Sequence, residues 1–251
     1  MRTLAIAAAL LTASGVARAA EINAFVSTAI KAATDDLIPP FERASGHVIR
    51  GSYAPSGALI PRFERGEPVD IFLTDSTALD ELIKRGKIVG PRVDLVRIGI
   101  GICVRKGAPK PDVSSPDALK RALLAAKSIG HASPAGGSIT AAHIQSVFER
   151  LGIAAEATPK VKLAAGGPNG RVSVLVSSGE AEIGLQQASE LMSNPGVEVI
   201  GMLPAELQQI TLYSAGVTAS AREPAAANAL VKALTAPSAA PIYKAKGLDP
   251  A

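Results

Sequence analysis

Residues 47–87 run HVIRGSYAPSGALIPRFERGEPVDIFLTDSTALDELIKRGK. His47–Ala54 has the branched, alternating make-up of a strand, and Ser56 opens a helix that continues to Arg65. Val69–Thr74 is a short apolar run after Pro68 and reads as a buried strand. Ser76 then suits the cap of a helix to Lys87, with Leu79, Leu82 and Ile83 on one face. Strand, helix, strand, helix in one stretch is the unit from which parallel sheets are built, because parallel neighbours need a crossover connection.

The same alternation continues outward in both directions. Upstream, Ile22–Ser27 reads as a strand and Thr28–Ala44 as a helix, with Ile30, Leu37 and Phe41 on its buried face. Pro39-Pro40 is expected to kink or divide that helix, and Ser45-Gly46 to end it. Downstream, Asp94–Val104 reads as one long strand. Ser115-Pro116 caps a helix through Lys127. Ser128–His131 is a strand and Ser138–Leu151 a helix. Lys160–Ala164, Ala181–Gln186, Val197–Met202 and Gln209–Thr218 read as strands. Asn169–Ser178 reads as a helix, and Pro224–Lys246 as a terminal helix interrupted near Pro237. The pattern predicts an α/β fold, with mostly parallel sheets and helices on both faces.

Composition excludes several functions. The chain is 47% apolar and 19% charged, which is globular rather than disordered. Aromatics are 3% with no Trp, too few for a stacked platform binding single-stranded nucleic acid. Cys103 stands alone, and His47, His131 and His143 are isolated, so neither metal-ligand spacing nor a disulfide framework is present. Arg2, the uncharged Thr3–Val16 run and Ala17-Arg18-Ala19 have the layout of an export signal, so residues 1–19 are expected to be removed. Loss of Arg2 and Arg18 lowers the formal charge from +4 to +2, and the basic balance carries no nucleic-acid inference. The expected product is a soluble periplasmic monomer.

Four strand-to-helix junctions are rich in small hydroxyl residues or glycine: Val26-Ser27-Thr28, Tyr53-Ala54-Pro55-Ser56-Gly57, Ser133-Pro134-Ala135-Gly136-Gly137-Ser138 and Gly166-Gly167-Pro168-Asn169-Gly170-Arg171. Ligands of open α/β sheets sit at such places, outside the strand carboxyl ends. Unpaired N–H groups and the partial positive charge of a helix start attract anions, glycine permits close approach, and Ser or Thr adds a hydroxyl donor. Singly, each junction reads as a plain N-cap; the four together read as an anion site. None has a P-loop or Rossmann glycine pattern, and no cofactor is expected.

Ser52–Leu59 followed by Arg65–Thr74 resembles the periplasmic molybdate-binding proteins. Those carry a similar Ser-Ser/Gly-x-Leu helix start, then Gly-x-Pro-x-Asp-x-Phe on the next strand. Leu82–Ile88, Pro134-Ala135-Gly136, Gly179–Gly184 and Tyr243–Leu248 agree in the same order. The resemblance implies a two-lobe type II periplasmic binding protein. Lobe 1 would hold residues 20–103 and 214–251 and lobe 2 residues 104–213, with hinge crossovers near Cys103–Arg105 and Leu212–Ala215. It further implies an anion held between the lobes by Ser27, Ser56, Gly57, Ala135 and Asn169, then delivered to the membrane permease of an ATP-driven (ABC-type) importer.

Two positions depart from that family. Gln187 stands where the molybdate binders have a tyrosine whose hydroxyl touches the oxyanion, and Arg171 follows the Asn169-Gly170 turn. A guanidinium fork suits a carboxylate, so these residues point toward a small organic acid. The Gln186-Gln187-Ala188-Ser189-Glu190-Leu191 stretch is also similar to a divergent branch that includes periplasmic aconitate isomerase. Such an enzyme needs a base near an acidic C–H, and His131, just before the Pro134 junction, is the candidate. Glu190 reads as a solvent-facing helix residue, Arg62 as a helix-face charge, and Cys103 as a buried small hydrophobe.

Overall fold

The computed structural model describes residues 19–165 and 171–251. The expected leader, except Ala19, and Asn169 lie outside the described residues. In chain order the elements are β1 (Glu21–Ser27), α1 (Lys31–Ser45), β2 (Val48–Ala54), α2 (Ser56–Glu64), β3 (Ile71–Asp75), α3 (Ser76–Lys84), β4 (Val93–Ile98) and β5 (Ile100–Arg105). Then come α4 (Pro116–Ala125), β6 (Ile129–Ala132), α5 (Ala141–Arg150), α6 (Ala154–Ala157), β7 (Val161–Ala164) and α7 (Val172–Ser178). The last are β8 (Ile183–Gln187), α8 (Ala188–Met192), β9 (Val197–Met202), β10 (Thr211–Val217), α9 (Pro224–Leu234), α10 (Ala240–Ala245) and β11 (Asp249–Pro250).

These strands form two sheets, the α/β architecture that the pattern predicts. The first has the order β11-β4-β10-β3-β1-β2 and the second β7-β6-β8-β5-β9. β1 runs parallel to β2 and β3, and β6 parallel to β7 and β8. β10 is antiparallel to β3 and β4, and β5 to β8 and β9. Each sheet is therefore mixed rather than mostly parallel. The strands that carry the chain between sheets arrive without a crossover helix, and so pair antiparallel.

The run 94–104 is two strands in different sheets, separated at Gly99. Leu95, Val96 and Ile98 before Gly99 and Ile100 and Ile102–Val104 after it are all buried, so composition alone does not reveal the change of sheet. A side chain at Gly99 would meet Met202 Cε at 2.8 Å and Gln208 Nε2 at 3.1 Å. The chain returns between Met202 and Thr211. There Gln208 ties the two crossings together: its Oε1 accepts from Ile100 N at 2.8 Å and its Nε2 donates to Ile100 O at 3.0 Å. By sheet membership the crossings fall at Gly99 and within 203–210, a few residues before the positions that the resemblance implied.

Alternation along β1 sorts its side chains to two cores. Ile22, Ala24 and Val26 pack with Ile38 and Phe41 of α1 and Leu230 of α9. Phe25 faces the other way, onto Phe72, Leu59 and Leu79, with an edge-to-face ring pair at 5.5 Å. Each such buried side chain contributes about 1.5–3 kcal/mol. Helix α1 holds both Pro39 and Pro40 and continues through them to Gly46, whose φ of 74° ends it. Asp35 and Asp36, whose carbonyls the prolines leave without their i+4 donors, are exposed, so water can serve those groups. No helix among the described residues is long and apolar enough to cross a membrane.

Candidate functional site

The carboxyl ends of β1, β2, β6 and β8 converge on a cavity of about 160 Å³ between the two sheets. From the first half of the molecule come Ser27, Tyr53, Ser56 and Tyr213. From the second come Ser138, Thr140, Arg171, Ser173, Gln187 and Glu190. Four of the residues singled out from sequence, Ser27, Ser56, Arg171 and Gln187, thus share one hollow.

Ser27 ends β1 and Ser56 begins α2, and their hydroxyls meet at 3.1 Å with Ser56 donating. Ser27 Oγ also accepts from Ala29 N at 3.4 Å. Both serines are buried. Gly57 and Ala135 fall elsewhere. Gly57 N donates to Gly137 O at 3.2 Å across the gap between the halves, which occupies its hydrogen. A Cβ on Gly57 would stand 2.9 Å from that oxygen. Ala135 is exposed and does not line the cavity.

His131 is buried beneath the wall rather than in it. Its Nδ1 pairs with Ala132 O at 2.9 Å, and its ring lies 6.2 Å from that of Phe148. Burial lowers the imidazole pKa, and the Ala132 carbonyl opposes this. Arg62 turns away from the cavity. It pairs with Glu67, donates to Ser52 Oγ at 2.7 Å and stacks 4.6 Å over the Phe25 ring. Cys103 is a buried thiol pushed up to about 12 by desolvation, which leaves it inert at neutral pH.

Glu190 overturns its solvent-facing reading. Helix α8 has five residues and follows β8 directly, with Glu190 in its first turn. This brings Glu190 Oε2 within 2.5 Å of Gln186 Nε2, which donates to it. Burial pushes the carboxyl up. Gln186, the Thr28 hydroxyl and the charge of Arg171 act against that rise. Gln186 lies in β8 and Glu190 in the helix after it, so no helical spacing in the sequence signals the pair. Tyr213 is a second residue that the pattern reading passed over, since a tyrosine in a strand is ordinarily core. It is 1% exposed, and its O–H donates to Gln187 Oε1 at 2.9 Å, joining β10 of the first sheet to β8 of the second.

Apart from Arg171 and Glu190, the charge near the cavity comes from Lys31. Its ammonium pairs with Asp35 at 2.5 Å and stands 4.6 Å from the Tyr53 ring. The rest of the wall is hydroxyl, amide and small apolar surface. Ser173 Oγ, Gln186 Oε1 and Gln187 Nε2 are buried there without a hydrogen-bond partner among the described residues. Such groups are costly to leave unpaired, at about 1–3 kcal/mol each, and the residues that carry them line the hollow. The wall therefore suits a small polar anion. No group of three His, Cys, Asp or Glu among the described residues is arranged to hold a metal.

The chain is 34% identical over 257 residues to an aconitate isomerase of Pseudomonas sp., covering 99% of this chain and 96% of that one. It is 29% identical to the molybdate-binding protein ModA of Azotobacter vinelandii, covering 92% of this chain and 90% of the other. The solved periplasmic molybdate-binding protein of Azotobacter vinelandii superposes with a TM-score of 0.73 at 20% identity, over 90% of this chain and 98% of that one. Residues 22–249 match the family described as bacterial extracellular solute-binding protein. The chain belongs to that family.

Proposed function

We propose that this protein works in the periplasm as a receptor for a small organic polycarboxylate, and that it hands the ligand to the permease of an ATP-driven importer. The observation that carries the ligand class is that Arg171 and Glu190, opposite in charge, line one cavity whose other charged residue, Lys31, is already paired with Asp35. A compact tetrahedral oxyanion concentrates its charge and would lie against the Glu190 carboxyl. A polycarboxylate separates its charges, so one group can pair with the Arg171 fork while another takes the hydroxyls of Ser27 and Ser56. Each such charge-assisted bond contributes about 1.5–3 kcal/mol before desolvation and closure are subtracted, which is compatible with micromolar affinity. Titration calorimetry with citrate, cis-aconitate, trans-aconitate, molybdate and tungstate is the test. Micromolar binding of a tricarboxylate is expected. Tight molybdate binding with no carboxylate response would overturn the proposal.

Glu190 and the 34% identical relative favour a second reading, in which the same site isomerises an aconitate. The Glu190 carboxylate would take a proton from the substrate methylene. The C–H electron pair would form the new double bond, and the old double bond would take the proton back at its far carbon. Base and proton are both restored, so nothing is consumed. Arg171 and Gln187 would hold the carboxylates as negative charge spreads onto them. Loss of a general base costs about 10²–10⁴-fold. Glu190→Gln should therefore abolish any ultraviolet change with cis- or trans-aconitate while leaving binding measurable. Wild-type protein that leaves both isomers unchanged over hours would remove this reading and leave the receptor intact.

A further inference from the structure

Two neighbouring carboxamides face the cavity, and each is held at one end. Gln186 Nε2 donates to Glu190 Oε2. Gln187 Oε1 accepts the Tyr213 hydroxyl at 2.9 Å. Gln187 is 3% exposed and Ser173 2%, yet Gln187 Nε2 and Ser173 Oγ have no partner among the described residues. Both residues belong to the wall contributed by the second half.

A free carboxamide is ambiguous, since one end accepts and the other donates. The phenol removes the ambiguity. Its hydrogen occupies Oε1, so the NH₂ end is the one left without a partner among the described residues, on a residue that lines the hollow. Rotating the amide would set N–H against O–H and force the phenol to redirect its hydrogen, while Ser27 already stands beside the phenol oxygen. Tyr213 is thus well placed to set the polarity of its neighbour.

We propose that Tyr213 is a positioning residue that fixes Gln187 as a donor, and that Gln187 Nε2 and Ser173 Oγ form a two-donor subsite for one carboxylate of the ligand. This rests on the reading that the cavity holds a polycarboxylate. It narrows that reading, because the group seated there must be an acceptor only. An ionised carboxylate is taken, and a carboxamide in its place, which presents hydrogens to hydrogens, is refused. It also explains how the protein does without a tyrosine at position 187: the phenol stands one layer behind the amide that touches the ligand.

The test is calorimetric titration of the full-length mature protein with citrate, cis-aconitate and trans-aconitate, each variant being checked by thermal unfolding without ligand. Tyr213→Phe should weaken the best of these ligands about tenfold. Gln187→Leu should weaken it at least as much, and Tyr213→Phe in the Gln187→Leu background should add nothing further, which a merely structural tyrosine would not reproduce. Gln187→Glu keeps an acceptor for Tyr213 but puts negative charge in the hollow, and should abolish binding. Unchanged affinity in folded Tyr213→Phe, or fully additive losses in the double variant, would overturn the proposal while the receptor reading stands. If Tyr213→Phe does not fold, wild-type affinity in Gln187→Leu or Gln187→Glu overturns it instead. Wild-type protein that binds none of the three acids would sink the cavity reading itself, and this inference with it.

Discussion

His131 shows how one side chain couples burial to acidity. Its imidazole is held below the usual histidine range by desolvation, so the unfolded chain takes up a proton first as pH falls through about 6.5. The stability contributed by the neutral ring is complete above that range and erodes as pH drops toward the lowered native value. His131→Leu should flatten that part of the acid slope, seen as urea midpoints that differ less between pH 7.5 and pH 5 than those of wild type. Glu190 responds in the opposite sense. Its carboxyl is raised by burial, so rising pH ionises it next to Arg171 and, in the proposed complex, next to the ligand. Polycarboxylate affinity should fall as pH rises through that elevated value, and Glu190→Gln should remove the trend in calorimetry.

Among the elements, α3 gives the sharpest contrast between pattern and structure. The Ser76 hydroxyl suits a cap by residue type, yet the helix already includes Ser76, and the Asp75 carboxylate accepts from Ala78 N at 2.9 Å. Asp75→Ala should cost about 1 kcal/mol in denaturant unfolding and Ser76→Ala much less. The order of strands and helices was readable because each buried face repeats at its own period, as Ile22, Ala24 and Val26 do in β1 and Leu79 and Leu82 in α3. Three things were hidden. The change of sheet at Gly99 interrupts no apolar pattern. The prolines of α1 sit where their cost is small, at the outer surface. Glu190 faces inward because a five-residue helix turns it there, and so short a helix leaves no periodic trace. The serines were legible because strand ends preceding helix starts form one rim, and Gln187 because the resemblance puts a ligand-facing residue at its position. Tyr213 reaches the site from the opposite sheet, a juxtaposition that only the tertiary fold creates.

At the scale of the whole molecule, polar contacts among the described residues tie the two halves together across the cleft. Gly57 N–H meets Gly137 O, Ser189 Oγ donates to Ala29 O at 2.6 Å, and Tyr213 bonds Gln187. Gly57 and Gly137 pack backbone against backbone. A methyl on Gly57 would press on the Gly137 oxygen, and one on Gly137 would stand 2.7 Å from Ala58 N. Gly57→Ala should therefore wedge the halves apart, giving a larger radius of gyration in solution scattering and weaker ligand binding with an unchanged ligand-free melting temperature.

That polar seam has a thermal consequence. Shutting an apolar seam dehydrates carbon surface and lowers the heat capacity, so its strength drifts with temperature. Here amide, hydroxyl and carbonyl groups meet across the seam, and apolar contact there is limited to single residues such as Ile139 against the first core. The grip on a ligand should accordingly vary little between a cold and a warm environment.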